Sequence, residues 1–191
     1  MILRTNAAIA LLLLAGSAIA QQERQIGECR IRPGTLCTDV NFQGMDLQGV
    51  DLTNSQFAVS DFSGANLSNA SFDGSKLTRL NLDGAHLSGA SMNDVDLEGA
   101  SMSGAILLGT KLNGAILRDV QLNSANLSGA FLLGADLSNA ELRGADLRDT
   151  ELQTANFRGA DLRGITGRCQ PARHQLRQRE SDQCRSERGQ S

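Results

Sequence analysis

The chain has 191 residues, and its 18 Lys plus Arg against 21 Asp plus Glu give a formal charge of −3, too small for a polyelectrolyte. Hydrophobic residues reach 40% while aromatics stop at 3%, with neither Trp nor Tyr, so the core is one of Leu and Ala and argues against an ordinary enzyme interior. Only 20% of residues are charged, which with this much Leu also argues against disorder.

Residues 1–20 carry one early cation, Arg4, then an apolar run from Ala7 to Ala15 and an Ala-x-Ala ending before Gln21. That is the pattern of a cleaved secretory signal. The run is too short to cross a hydrocarbon core of ~30 Å, and no second run follows. The expected mature protein is exported to the periplasm or the exterior, without stable membrane insertion.

From Phe42 the chain shows a strict period of five. The positions Phe42, Leu47, Leu52, Phe57, Phe62 and onward to Leu162 hold 18 Leu, 5 Phe and 2 Met in 25 steps. Two residues earlier the unit is Ala, Ser or Thr in 19 of the 25, and two residues later it is Gly in 15, with Asn and Asp next. Five matches neither the helical 3.6 nor the strand period of 2. A repeated short turn satisfies it: small and large apolar residues point inward together, and Gly, Asn or Asp tolerates the backbone of the corner. One unit cannot bury its Leu, but stacked units can, in ladders at the strand spacing of ~4.8 Å. Pro33 and Pro171 lie outside the repeat, where no ladder hydrogen bond is lost.

Units such as Ala135-Asp136-Leu137-Ser138-Asn139 and Ala145-Asp146-Leu147-Arg148-Asp149 resemble the pentapeptide-repeat family. The resemblance covers roughly Val40 to Gly164. It implies an all-β solenoid, a right-handed quadrilateral β-helix with four units per coil, hence about six coils and a rod roughly 30 Å long. The expected organisation is a signal over residues 1–20, an N-terminal cap over 21–39, the β-helix over 40–165 and a C-terminal cap over 166–191. Four of the five inward Phe lie at or before Phe72, which predicts an aromatic-filled first section.

Cys29 and Cys37 precede the repeat, and Cys169 and Cys184 follow it. In an exported chain four cysteines suggest disulfides, with three connectivities open. A rod of the implied length separates the two pairs, whereas a disulfide needs Cα atoms under about 7 Å apart. The expectation is therefore Cys29 with Cys37 and Cys169 with Cys184, each closing a cap over the exposed end of the stack. The rival, a zinc site of four thiolates, lacks CxxC spacing and meets the same distance problem. Residues 171–185 place Ala172, Leu176 and Cys184 on one helical face, predicting a short capping helix. The tail is locally +3, which suits a solvated cap or a contact to an acidic partner.

Catalytic patterns are missing. Only His86 and His174 are present, and neither G-x-S-x-G, a P-loop nor H-E-x-x-H occurs. Asp46, Asp51, Asp61, Asp136 and Asp146 recur at one phase, read as a solubilising position. No cofactor, metal or nucleic-acid partner is implied, and the reading is of a non-enzymatic protein. Two surface features bear on binding. Between Thr38 and Ile165 there are 16 acidic and 8 basic residues, a net −8. The family resembled includes DNA-mimicking members that occupy the DNA site of gyrase, yet this charge is under half that of duplex DNA of equal length, at one charge per ~1.7 Å. An exported protein would also not meet gyrase. The other feature is five apolar residues at outward phases, Ile106, Leu108, Ile116, Phe131 and Leu133, read as a candidate patch for a partner or for self-association. Scattered exposed apolar residues are the alternative. The expectation is a rigid protein-binding or scaffold module; a gyrase-interacting DNA mimic, a purely structural solenoid and, last, an enzyme are the alternatives.

Overall fold

Each five-residue unit is a tight turn, and the turns stack. In the computed structural model, which describes residues 24–26 and 29–167, the residue two after each central one has positive φ: Gly99 at 66°, Asn69 at 58°, Asp94 at 54°. That conformation is nearly free for Gly and tolerable for Asn and Asp, which explains their place in the unit. The next residue closes the turn, as when the Ala90 N–H donates to the Leu87 carbonyl at 2.9 Å.

Isolated parallel bridges join residue n to residue n + 20 without a break, from Leu36 with Gln56 to Asp146 with Thr166. Twenty residues are four units, so each coil has four sides. The ladder headed by Phe42 lines the first side, by Leu47 the second, by Leu52 the third and by Phe57 the fourth. Backbone groups pair between coils: Leu107 N–H donates to Asn126 O at 2.7 Å, and Asn126 N–H to Ala105 O at 2.9 Å.

The central row is buried from Phe42 to Leu162 and the small row from Ser55 to Ala145, with Leu107 and Ala105 each at 0% exposure, while Val40, Met45 and Val50 at the first coils are partly buried. Phe42 stacks on Phe62 with ring centroids 4.4 Å apart, while Phe57 meets both edge-on and Phe72 meets Phe62 edge-on. The aromatic-filled first section is therefore one contiguous cluster. Where the small row carries a hydroxyl, it is satisfied internally: Ser75 Oγ donates to Leu52 O and Thr110 Oγ1 to Leu87 O, each at 2.8 Å. Among the described residues no buried side-chain polar atom lacks a partner.

The register runs one unit further upstream than Val40. Thr35-Leu36-Cys37-Thr38-Asp39 is a unit in which Cys37 holds the central place and Asp39 the positive φ of 56°. The small side chain of Cys37 and the 73%-exposed Leu36 hide that phase from a search for large inward residues. Above it sits a hairpin of β1 (Arg24–Ile26) and β2 (Cys29–Ile31), antiparallel with Gln25 opposite Arg30. Cys29 and Ile31 turn into the core, and Cys29 is joined to Cys37 with Cα atoms 5.8 Å apart. At the other end Gly167 reaches a central position at φ 118°, where any side chain would strike the backbone of Leu147 and Arg148. The leader expected over residues 1–20, Cys169, Cys184 and the helix expected over 171–185 lie outside the described residues.

Candidate functional site

The outward positions divide by side, and the five apolar residues of the candidate patch divide with them. Ile106 and Leu108 stand on the second side, Phe131 and Leu133 on the third, and Ile116 on the fourth. Ile106 and Ile116 are ten residues apart, half a coil, so they face opposite ways. Each is flanked in its own ladder by polar residues: Ile106 by His86 and Asn126, Phe131 by Lys111 and Glu151, Ile116 by Asp96 and Asp136. The five outward apolar residues thus stand on three consecutive sides, each ladder polar on either side of them. Leu108 and Leu133 are the more exposed, at 42% and 50%.

The recurring Asp and Asn before the central residue do more than solubilise. Their Oδ1 accepts the N–H two residues on, as from Ser63 to Asp61 at 2.9 Å and from Ser128 to Asn126 at 3.1 Å. This is an Asx turn, and it fixes the unit locally. Where that position is not Asp or Asn, several coils borrow the acceptor from the coil before. Ser103 N–H goes to Asp83, Asn93 N–H to Asp73, Asn113 N–H to Asn93 and Leu133 N–H to Asn113, all twenty residues back.

Charge is distributed unevenly over the sides. The first side carries Asp61, Asp83, Glu141 and Asp161; the third Asp51, Asp73 and Glu151; the fourth Asp96, Glu98 and Asp136. On the second side, from Asn66 to Ser128, the outward residues are Asn66, Ser68, His86, Ser88, Ile106, Leu108, Asn126 and Ser128, with no carboxylate, Lys or Arg. Its corners are Asn69, Gly89, Gly109 and Gly129, and a Cβ at the last two would meet nothing within 4 Å. The strip is thus free of charge, with Ile106 and Leu108 at its centre. Asp46 bounds it at one end and Asp146 with Arg148 at the other. It escaped the sequence reading because it is visible only once residues are sorted by twenties.

Elsewhere the arginines neutralise carboxylates. Arg118 reaches Glu98 at 2.8 Å across one coil, and Asp161 takes both Arg163 at 2.7 Å and Arg143 at 2.6 Å. The Arg148 guanidinium beside Asp146 holds its carboxyl down at about 2, and Arg163, then Arg143, hold Asp161 well below the usual range. Among the described residues no group of His, Cys, Asp and Glu is placed to hold a metal ion. His86 stands alone on the strip, and His174 is outside the described residues.

The model of the family described as pentapeptide repeats matches in 8 copies, over residues 35–79, 81–119, 115–153 and 134–166. The chain belongs to the pentapeptide-repeat family. Proteins of this family are right-handed quadrilateral β-helices. Similar solved structures include QnrB1, a plasmid-mediated fluoroquinolone resistance protein, at 17% identity over 83% of this chain and 90% of that one, TM-score 0.45. Another is a pentapeptide repeat protein of the Arabidopsis thaliana thylakoid lumen, at 33% identity over 59% of this chain and 68% of that one, TM-score 0.36. A third is HetL, involved in heterocyst differentiation regulation in the cyanobacterium Nostoc, at 26% identity over 70% and 85%, TM-score 0.29. Among curated proteins none matches.

Proposed function

We propose that this pentapeptide-repeat protein is an exported, non-enzymatic, rigid module that binds a protein partner through its second side. The observation that carries the reading is the charge-free strip centred on Ile106 and Leu108, in a rod whose other three sides all bear carboxylates. Interface centres are depleted in charge, and this strip sets two apolar side chains, Ile106 and Leu108, among uncharged neighbours. The leader-like residues 1–20 support export. A DNA-mimicking role fits less well, because Arg118, Arg143, Arg148 and Arg163 pair with the very carboxylates that would imitate phosphates.

The test is affinity capture from the native envelope fraction with the wild type, with I106D/L108D, and with S138D on the fourth side, after each is shown to fold by circular dichroism. Partners captured by the wild type and S138D but not by I106D/L108D support the strip. Equal capture by all three, or none by any, overturns it. Sequencing the N-terminus of the protein recovered from that fraction tests removal of residues 1–20.

A further inference from the structure

Asn113-Gly114 is the only Asn-Gly pair in the chain. It forms the two middle residues of a turn closed by Ala115 N–H donating to Leu112 O at 3.2 Å, with Gly114 at φ 67°. An asparagine followed by glycine is prone to cyclise, since no side chain shields the following amide nitrogen. That nitrogen attacks Asn113 Cγ, a C–N bond forms, the bond from Cγ to Nδ2 breaks, and ammonia leaves with the proton from Gly114. Water then opens the cyclic imide at either carbonyl, leaving an aspartyl or an isoaspartyl residue. No oxidant or reductant takes part.

In the solenoid every group this reaction needs is already engaged. Gly114 N–H donates to Leu133 O at 2.9 Å. Asn113 Oδ1 accepts the Leu133 N–H at 3.0 Å, and its Nδ2 donates to Asn93 Oδ1 at 3.2 Å. The same Asn93 oxygen takes the Asn113 N–H at 3.3 Å. The nucleophile is held by the coil after and the leaving amide by the coil before.

We infer that Asn113 is a deamidation site gated by coil separation: closed while this coil is stacked on both neighbours and open when it parts from them. The modification is also one-way. The new carboxylate sets an acceptor against the Asn93 oxygen where a donor stood, leaving that pair unsatisfied. An isoaspartyl link lengthens the main chain within a register that repeats every twenty residues. A coil that has opened and reacted does not restack in the same bonds, so the residue records the opening.

The full-length protein is held in mildly alkaline buffer, with and without denaturing urea, and the tryptic peptide spanning residues 112–118 is followed by mass spectrometry. Conversion at least about tenfold slower in the folded protein is expected, because native opening is sparsely populated. N93A, which removes the acceptor for both Asn113 donors, is expected to narrow that ratio. Equal rates with and without urea, or a peptide that stays unmodified even in urea, would overturn the inference. The comparison within the wild type stands even if N93A does not fold.

Discussion

The backbone N–H of Ser103 donates to Asp83 Oδ1 at 2.8 Å, across one whole coil, and the Ser101 hydroxyl donates to the same oxygen at 2.6 Å. Ser101 occupies the place where Asp or Asn fixes 12 of the 25 turns, and Asp83 supplies from the previous coil what Ser101 does not. Removing it in D83A leaves a part-buried N–H and a hydroxyl without their acceptor. The expected loss is about 1.5 to 3 kcal/mol in urea denaturation. S103A keeps the backbone donor and should change little.

Leu107 lies between Leu87 and Leu127 in the second-side ladder and is fully buried. The stack above and below is held by backbone bonds at fixed spacing, so the site collapses poorly around a smaller residue. L107A should lower stability by about 2 to 5 kcal/mol, read as a shift in denaturation midpoint.

Val59 is a β-branched residue at φ 58°, a region that L side chains avoid, and its side chain is 64% exposed, so little packing offsets the strain. Substitution by Gly, or by Asn as at Asn54 and Asn69 in the same conformation, should stabilise by about 1 kcal/mol. A fall in melting temperature for V59G would contradict this.

The disulfide spans a sequence separation of 8 and ties the hairpin to the first coil. Its loss frees a short loop, worth about 2 to 3 kcal/mol on a chain-entropy estimate. In a solenoid each coil meets only its neighbours, so the effect should be local. In C29S/C37S, amide exchange should quicken over residues 29–57 and stay unchanged over 100–150.

Acid should weaken the C-terminal coils before the rest. Asp146 has a folded pKa depressed to about 2 from an ordinary 3.8, so the stabilisation is fully present above about pH 4 and is lost as pH falls toward 2. Arg148 is largely exposed, and salt should shrink the effect. R148Q should flatten the fall in melting temperature over this window; an unchanged slope would show that the pair contributes nothing there.

The five-residue register was legible because side-chain volume alternates in fixed phases, and Leu107 or Ala105 could be placed inward from spacing alone. What spacing did not reveal is the coupling at twenty. Ile106 and Ile116 share a phase and a residue type, yet the coil turns them to opposite sides. The borrowed acceptors Asp83 and Asn113 look like ordinary outward polar residues until the coil above is set upon them. Cys37 escaped notice for the opposite reason: it holds a central position in a residue type too small to mark it. Sorted by remainder on division by twenty, the sequence itself shows the absence of charge from Asn66 to Ser128.

The twenty-residue step also governs how this protein can change length. Adding or deleting a full coil leaves each downstream residue on its own side and above a residue of its own phase. An insertion of one unit keeps every Leu inward and every turn intact, yet it rotates the remainder of the rod by a quarter turn against the part before it. The strip around Ile106 and Leu108 would then break at the insertion and continue around the corner, in a molecule whose core had noticed nothing.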